Sequence, residues 1–225
     1  RQMKSIYLDY NATSPLADSV KEYLAKGDFS FANPASTHSS GKKAATQINS
    51  IKADIKQQFG MVHSHLIFHS GVTEAVNTFF KRDEKIHMFH FNSDHPCILE
   101  VAKYLKKNGH EVTAFDLNQN GLFNQEEIIK EIKKAQKPAF LNFTWVHNET
   151  GIVWDLARAQ EIKKQTGCFI HVDAAQVVGK IENYFKLNPN LDFYSFSGHK
   201  FGALKGIGFS FVNPDFPFNT YLHGG

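Results

Sequence analysis

The sequence predicts an α/β domain with a mostly parallel sheet flanked by helices. Short apolar runs alternate with amphipathic stretches along most of the chain. Repeated strand–helix alternation of this kind is typical of a parallel sheet covered by helices. The chain has 225 residues and 42% hydrophobic content, which is sufficient for one sizeable core.

The first helix is predicted from its apolar spacing. Ala44, Ile48, Ile51, Ile55 and Phe59 recur every three or four residues and so share one face of a helix that ends at Gly60. The predicted strands that follow are HLIFHS, KIHMFHF, HEVTAFDL, AFLNFTWV, CFIHVDA, DFYSFS and GIGFSFV. The predicted helices between them are VTEAVNTFF, PCILEVAKYLKKNG, NQEEIIKEIKKA and DLARAQEIKKQTG.

Local signals support two of these helices. Pro96 lies in the first turn of its helix, where the backbone N–H that proline lacks has no partner within the helix. Gly109 lies at the end of the same helix, where a flexible backbone is favoured. Asn124 is the predicted N-cap of the next helix, because its side chain can accept a backbone N–H.

Composition narrows the function classes. The net charge of +3 comes from scattered basic residues without a basic stripe, so we expect no nucleic-acid partner. No apolar run reaches the length of a membrane span, and the N-terminus RQMKSIYLDY lacks a signal-peptide layout. We therefore expect no membrane partner and a cytoplasmic location. Two cysteines argue against a disulfide scaffold and for a reducing compartment.

A metal centre is not predicted. The pairs His63/His65 and His87/His90 invite one, but His87 and His90 fall on opposite faces of a strand. No clustered cysteine or carboxylate completes either pair.

Polar residues follow the predicted strands, where a parallel sheet binds its ligands. HLIFH leads to Ser70–Glu74 at a helix N-terminus, which suits a phosphate group, although serine and threonine there are also ordinary helix caps. His95 follows the second strand, and a lone histidine is more often a hydrogen-bonded structural residue than a catalyst. Asn148 follows AFLNFTWV and could orient a ligand or form a turn.

Two charged residues favour a ligand site over ordinary helix caps and turns. Asp173 ends the buried strand CFIHV and needs a positive or donating partner. Lys200 follows the strand DFYSFS and would be costly to desolvate without a use. Pyridoxal phosphate accounts for both: a lysine holds its aldehyde as a Schiff base, and a carboxylate keeps its ring nitrogen protonated.

Seven motifs in order carry a resemblance to a known family. They are YLDYNATSPL, NPASTHSSGKKA, SGVTEAVN, HPCILE, HNETGIVWDL, HVDAAQVVGKI and SFSGHKFGALKGIG. The chain resembles the class-V aminotransferase superfamily, and within it the cysteine desulfurase branch. The resemblance covers nearly all 225 residues.

The resemblance implies roles at the ring end of the cofactor. Lys200 matches the Schiff-base lysine, Asp173 the partner of the ring nitrogen and Gln176 the residue that bonds the phenolic oxygen. His95 matches a histidine that stacks on the ring and moves protons. Asn148 matches an asparagine near the cofactor and the substrate carboxylate.

At the phosphate end, the resemblance implies roles for Thr73, Ser197 and His199. Asn33 lies in a loop similar to the family's active-site loop. Lys205 is the rival for the Schiff base, but it precedes a strand instead of following one, which favours Lys200.

The implied fold is the large domain of a pyridoxal-phosphate-dependent, aspartate-aminotransferase-like transferase. We assign residues 1–15 to an N-terminal segment and 16–225 to the cofactor-binding large domain. The C-terminal small domain is expected to be absent, since YLHGG is similar to the start of a longer motif. The resemblance also implies a homodimer.

The implied activity releases sulfur from L-cysteine, giving alanine and a persulfide for iron–sulfur cluster or thio-cofactor assembly through a sulfur-acceptor protein. The family's persulfide cysteine and its substrate-binding arginine lie beyond residue 225. Cys97 is a possible substitute, because a helix N-terminus can lower a thiol pKa, but an ordinary small residue also fits there. Cys168 at a strand start is interpreted as core filler.

Alternatives stay open at this point. Another class-V enzyme, such as a selenocysteine lyase, an aminotransferase or an epimerase, would carry the same residues. A truncated, non-catalytic module that keeps the fold is the other alternative.

Overall fold

The fold is a seven-stranded sheet with helices on both faces. A computed structural model describes residues 6–27, 31–182, 184–220 and 223. The strands are β1 (His65–His69), β2 (His87–Phe91), β3 (Glu111–Phe115), β4 (Ala139–Thr144), β5 (Phe169–Asp173), β6 (Phe193–Ser197) and β7 (Gly208–Val212). The helices are α1 (Asp18–Lys26), α2 (Ser39–Gln58), α3 (Val72–Phe80), α4 (Pro96–Lys107), α5 (Gln125–Lys133) and α6 (Leu156–Thr166).

The predicted mostly parallel sheet is confirmed. The strand order is β1-β7-β6-β5-β4-β2-β3. Strands β2 to β6 pair in parallel, while β7 runs antiparallel to both β1 and β6. Because β7 is antiparallel to both of its neighbours, β1 runs in the same direction as β6. The carboxyl ends of β1, β2, β4, β5 and β6 therefore meet at one edge, where ligands of such sheets bind.

Two hydrophobic layers cover the sheet. Phe79 and Phe80 on α3 pack with Met88, Phe140 and Phe193 on one face. On the other face, a larger cluster includes Phe91, Phe123, Phe143, Trp145, Trp154 and Phe211. Successive strand residues alternate between the layers, so both faces are buried, as expected for strands with nearly continuous apolar sequence.

The helix boundaries follow their capping chemistry. Pro96 occupies the first turn of α4, and the side chain of Asn124 accepts from the amide of Glu127 at the start of α5, as predicted. The helix α4 ends at Lys107 with Asn108 as its C-cap, two residues before the predicted end.

The structure adds two features that were not predicted. The helix α2 begins at Ser39, capped by His38, which is five residues before the first apolar residue of the predicted face. The helix α1 was not predicted, although Val20, Tyr23 and Leu24 share one of its faces; none of its residues is buried. Residues 1–5 of the N-terminal segment and Tyr221, Leu222, Gly224 and Gly225 of YLHGG lie outside the described residues.

Candidate active site

A cavity of about 300 Å³ opens at the carboxyl edge of the sheet. All eight residues predicted for the site line it: Thr73, His95, Asn148, Asp173, Gln176, Ser197, His199 and Lys200. Each of them ends or follows a strand or begins a helix at this edge, so the topology brings them together from five separate stretches of sequence. Ala12 and Thr144 also line the cavity, although neither was predicted.

Asp173 is the last residue of β5 and is buried. Its Oδ1 accepts a hydrogen bond of 3.0 Å from the amide of Ala175. Burial raises the pKa of this carboxyl, while the Ala175 amide and the charges of His95, Lys200 and His147 lower it. The carboxyl is therefore held among cationic and donating groups within a poorly solvated site.

Lys200 lies in a single turn of 3₁₀ helix directly after β6. Its Nζ donates a hydrogen bond of 2.6 Å to the carbonyl oxygen of Asn11. Burial lowers the pKa of this amine, and the nearby Asp173 carboxylate raises it. A lowered pKa increases the fraction of neutral amine, which is the nucleophilic form.

The backbone of the turn has no room for a side chain at Gly198. A Cβ there would lie 2.9 Å from both the Ala203 Cβ and the Ile207 oxygen. The glycine therefore lets the chain turn sharply between β6 and Lys200.

The N-terminal segment closes one side of the cavity. The carbonyl oxygen of Asn11 also accepts a bond of 2.8 Å from Nε2 of Gln176, and Nδ2 of Asn11 donates to the carbonyl oxygen of Asn148 at 2.9 Å. The motif YLDYNATSPL was recognised in the sequence, but the contact of Asn11 with three site residues was not predicted. The hydrogen bonds span more than 130 positions, so no local pattern could indicate them.

Hydroxyl and imidazole groups gather at the N-terminus of α3. The amide of Val72 donates to Oγ of Ser197 at 3.0 Å, which leaves the Ser197 proton available to another acceptor. A second cavity, of about 560 Å³, shares Thr73, Ser197 and His199 with the first and adds Lys205. Helix N-termini attract anions, so this end of the site is suited to a phosphate group.

His199 is anchored to the N-terminal segment. Its Nδ1 lies 3.0 Å from Oγ1 of Thr13. Its carbonyl oxygen accepts from the Ser14 amide at 2.8 Å and from the Ser14 hydroxyl at 2.9 Å. The position of His199 is therefore fixed by contacts across the whole chain.

His95 is the N-cap of α4. Its Nδ1 accepts from the amide of Cys97 at 3.2 Å and lies 3.0 Å from the Cys97 Sγ. With Nδ1 accepting, the proton of a neutral His95 ring resides on Nε2. The ring is exposed and lines the cavity.

The start of α4 has a smaller effect on the Cys97 thiol than its surroundings have. The backbone amides of Cys97 and Ile98 lower the pKa of the thiol, but burial, Asp173 and Asp94 raise it further, to about 12. Cys168 is buried and free, and burial raises its pKa to about 11, which agrees with its interpretation as core filler.

Two other residues of the sequence analysis lie elsewhere. Asn33 does not line the main cavity; its Oδ1 accepts from the amide of Ala35 at 2.9 Å. His147 lies 2.6 Å from the carbonyl oxygen of Ser93 through its Nε2. It thereby joins the loop after β4 to the turn before α4 and supports the positions of Asn148 and His95.

Comparison with known proteins decides the family. The family model described as aminotransferase class-V matches residues 6–220. The chain belongs to the class-V aminotransferase family. This confirms the resemblance derived from the seven motifs.

Individual members of the class-V aminotransferase family are also similar. The chain is 35% identical to a cysteine desulfurase IscS of Buchnera aphidicola and 31% identical to a putative cysteine desulfurase IscS 1 of Bacillus subtilis. These matches cover 98% and 99% of this chain but 57% and 60% of the relatives. The chain thus spans less than two thirds of their length.

A solved structure supports the same fold. The structure of SspA in complex with cysteine matches with a TM-score of 0.86 and 28% identity, over 98% of this chain and 65% of that one. Within the described part of the chain, no group of three or more histidine, cysteine or acidic residues is placed to hold a metal ion. Among the same residues, no helix is long and apolar enough to span a membrane.

Proposed function

We propose that the chain is the cofactor-binding part of a pyridoxal-phosphate-dependent cysteine desulfurase. The observation that carries this proposal is that Lys200 and Asp173, from two neighbouring strand ends, face one cavity. A lysine amine and a carboxylate in this arrangement match the two ends of the cofactor's ring system. Family membership and the named cysteine desulfurases among the relatives support it.

The donor set fits pyridoxal phosphate. Its aldehyde, ring nitrogen and phosphate require an amine, a carboxylate and an anion site. The cavity supplies these from Lys200, Asp173 and the N-terminus of α3. Gly71 begins this helix with φ 152° and ψ 179°, a conformation open to glycine. A Cβ on Gly71 would lie 3.3 Å from Oγ of Ser197, so the lack of a side chain keeps this end open.

In the proposed site, Lys200, Asp173, Gln176 and His95 hold the ring, while Thr73, Ser197 and His199 hold the phosphate. Bound pyridoxal phosphate supplies an electron sink for the bond that breaks at the substrate α-carbon. The Asp173 carboxylate would keep the ring nitrogen protonated, and the Gln176 amide would bind the phenolic oxygen. The Gln176 amide plane is fixed by its hydrogen bond from Nε2 to the carbonyl oxygen of Asn11 and by the bond that its Oε1 accepts from Lys180.

Proton transfer falls to two groups. The Lys200 amine, once free, can take the α-proton as a general base, because burial favours its neutral form. The Nε2 of a neutral His95 ring carries a proton that it can deliver to the departing sulfur. The hydrogen bond of the Cys97 amide to Nδ1 keeps this tautomer in place.

We propose L-cysteine as the substrate. Its carbon–sulfur bond breaks, and its sulfur passes to a protein thiol, giving alanine and a persulfide. A thiol with a pKa of about 12 is a poor acceptor at neutral pH, so Cys97 is not assigned this role. By the resemblance, we propose that the acceptor cysteine corresponds to the part of the relatives that this chain does not cover. The structural relative in complex with cysteine supports the choice of substrate.

The wider context is also a proposal. A homodimer is supported by the exposed apolar side chains of Ile6, Leu8, Leu204 and Ile207, which a subunit interface could cover. We propose a reducing, cytoplasmic compartment, in which Cys97 and Cys168 stay free. The sulfur would pass to an acceptor protein for iron–sulfur cluster or thio-cofactor assembly.

The central test is chemical mapping of the lysine. Purified protein is incubated with pyridoxal phosphate, reduced with borohydride and digested for peptide mass analysis. A pyridoxyl group on Lys200 is expected, and Lys205 is the internal comparison. A label on Lys205 alone, or no label, would contradict the proposal. Alanine and sulfide release from L-cysteine then tests the substrate, with selenocysteine as the competing substrate.

A further inference from the structure

A row of polar side chains crosses the sheet beneath α3. Each of five adjacent strands contributes one residue: His69 on β1, Ser210 on β7, Ser195 on β6, His171 on β5 and Asn142 on β4. We call these five residues the polar row. Four of them, all except His69, have no solvent exposure. Buried polar groups on a face packed with phenylalanine are costly unless every one is hydrogen-bonded.

The polar row is hydrogen-bonded without a break. His69 Nε2 lies 2.7 Å from Ser210 Oγ, which donates to Ser195 Oγ at 3.2 Å. Ser195 Oγ lies 2.8 Å from His171 Nε2, and His171 Nδ1 lies 2.7 Å from Asn142 Oδ1. The amide nitrogen of Asn142 then donates to Oδ2 of Asp94 at 2.9 Å.

Both ends of the polar row meet a helix N-terminus of the active site. At one end, the Gly71 amide before α3 donates to His69 Nδ1 at 3.1 Å. At the other end, Asp94 accepts from the amide of Phe91 and from Oγ1 of Thr144, at 2.9 Å and 2.7 Å. Asp94 directly precedes His95, the N-cap of α4.

The donor and the acceptor of each hydrogen bond in the polar row follow from the bond that the Gly71 amide makes. A backbone N–H can only donate, so His69 Nδ1 accepts and its proton is on Nε2. Each serine hydroxyl has one proton, so Ser210 donates to Ser195 and Ser195 to His171 Nε2. His171 therefore carries its proton on Nδ1 and donates to Asn142. All donors consequently point toward the Asp94 carboxylate.

The packing keeps both histidines neutral. His171 contacts Phe79, Phe80 and Phe193, and burial with the nearby His69 lowers its pKa to about 3. Burial also lowers the pKa of His69. A protonated ring would turn a donor toward Gly71 or Ser195, which already donate to it.

We propose that the polar row positions the two ends of the active site relative to each other, with Ser195, His171 and Asn142 as positioning residues. It holds the Gly71 turn at the phosphate end and the Asp94–His95 turn at the ring end. This inference deepens the proposed function and rests on it for the identity of the cofactor. The hydrogen bonds of the polar row join protein atoms only, so they can be tested without the cofactor.

Several titratable groups surround the Asp94 end. Burial raises the pKa of Asp94, and Asp173 on β5 adds to this rise; burial also raises the pKa of the Cys97 thiol on α4, with Asp173 and Asp94 adding to it. His95 follows Asp94 in the chain, and His147 bonds the carbonyl oxygen of Ser93 before it. The experiment therefore uses readouts that do not depend on the titration of one group.

The first measurement is the tautomer of each histidine in cofactor-free protein, by nitrogen-15 NMR of histidine-labelled material. His171 is expected as the neutral Nδ1–H tautomer and His69 as the neutral Nε2–H tautomer. Signals are assigned by His69→Gln and His171→Gln. An Nε2–H or protonated His171 would overturn the proposed direction.

The second measurement uses Ser195→Ala, which interrupts the polar row at its centre. Ser64→Ala is the matched control, since Ser64 is a buried serine outside the polar row. In cofactor-free protein, Ser195→Ala is expected to speed amide hydrogen exchange at both Gly71 and Phe91 by on the order of tenfold, and Ser64→Ala at neither. Equal exchange in the two variants would overturn the positioning role.

The third measurement is the dissociation constant of pyridoxal phosphate. Ser195→Ala is expected to raise it by on the order of tenfold relative to Ser64→Ala. If amide exchange at Gly71 and Phe91 changes but the dissociation constant does not, the polar row has only a structural role and the proposal is overturned. If the unmodified chain binds no cofactor, the proposed function fails, while the first two measurements still decide whether the polar row exists and holds both turns.

Discussion

The amide of Val72 donates a hydrogen bond of 3.0 Å to the hydroxyl oxygen of Ser197, which lies 125 positions later in the chain. This bond joins the N-terminus of α3 to the end of β6. It places a hydroxyl proton and the helix N-terminus side by side, and it fixes the start of the turn that carries Lys200. The anion end and the amine end of the cavity are thus tied through one side chain.

Gly71→Ala is expected to weaken this junction. The backbone at φ 152° disfavours any residue with a Cβ, and the new methyl group would crowd Ser197. We expect a loss of about 1–3 kcal/mol in the free energy of unfolding, with weaker cofactor binding. Gly60→Ala is the control, because Gly60 has φ 67° with open space around it and should cost only about 1 kcal/mol. Urea unfolding of both variants measures the difference; equal losses would contradict the crowding at Ser197.

Lys200→Arg is expected to abolish the visible absorption of the cofactor-loaded protein. Arginine keeps the positive charge but cannot form the covalent link to the aldehyde, so sulfur release should fall by about 10²–10⁴-fold. Lys205→Arg, which changes a residue of the neighbouring cavity, should retain the colour. Absorption spectra and alanine assays distinguish the two, and a coloured Lys200→Arg variant would contradict the assignment.

Asp94→Asn is expected to change the pH dependence of stability. Burial raises the pKa of the Asp94 carboxyl from 3.8 to about 6. The folded state therefore binds this proton more tightly than the unfolded chain, and Asp94 costs stability as the pH rises through this range. Asparagine does not titrate but lacks one of the two oxygens that accept from Phe91, Asn142 and Thr144, which costs about 1–3 kcal/mol at every pH. Relative to the unmodified chain, the stability of the variant should therefore gain about 3 kcal/mol between about pH 4 and about pH 6. Urea unfolding at several pH values checks it; a gain that does not depend on pH would contradict the raised pKa.

The thiol of Cys97 is expected to react slowly. With a pKa of about 12, it holds about a thousandfold less thiolate at about pH 8 than an ordinary cysteine. Labelling with a disulfide reagent followed over time should show slow modification in the folded protein and fast modification in denaturant. Rapid labelling of Cys97 in the folded state would instead support it as a sulfur acceptor.

Lys163→Met is expected to destabilise the fold. Lys163 Nζ lies 2.7 Å from Oδ2 of Asp192, which is buried and also accepts from the Ile170 amide at 2.8 Å. Removing the amine leaves a buried carboxylate without its cation, so a loss of about 3 kcal/mol is expected. Lys164→Met changes the exposed neighbour and should have little effect. Thermal unfolding of both variants measures the difference, and similar melting temperatures would contradict the buried pair.

The sequence by itself determined the fold class, and it predicted the eight residues that line the main cavity. Alternating apolar segments predicted the parallel sheet, and residues that directly follow strands, such as Asp173 and Lys200, were predicted to meet because parallel strands end at one edge. These features depend on neighbours in sequence. The helix α1 escaped prediction although Val20, Tyr23 and Leu24 share one of its faces, and the structure buries none of its residues.

Only the tertiary structure decided the contacts and the charge states. The Asn11 carbonyl oxygen accepts a hydrogen bond from Lys200, which lies 189 positions later in the chain. The polar row joins five strands, and no local sequence motif indicates which of these strands are neighbours. The Cys97 thiol shows the physical reason most clearly. A helix N-terminus would lower its pKa, but burial beside two carboxyls raises it, and the depth of a side chain and the identity of its distant neighbours exist only in the folded chain.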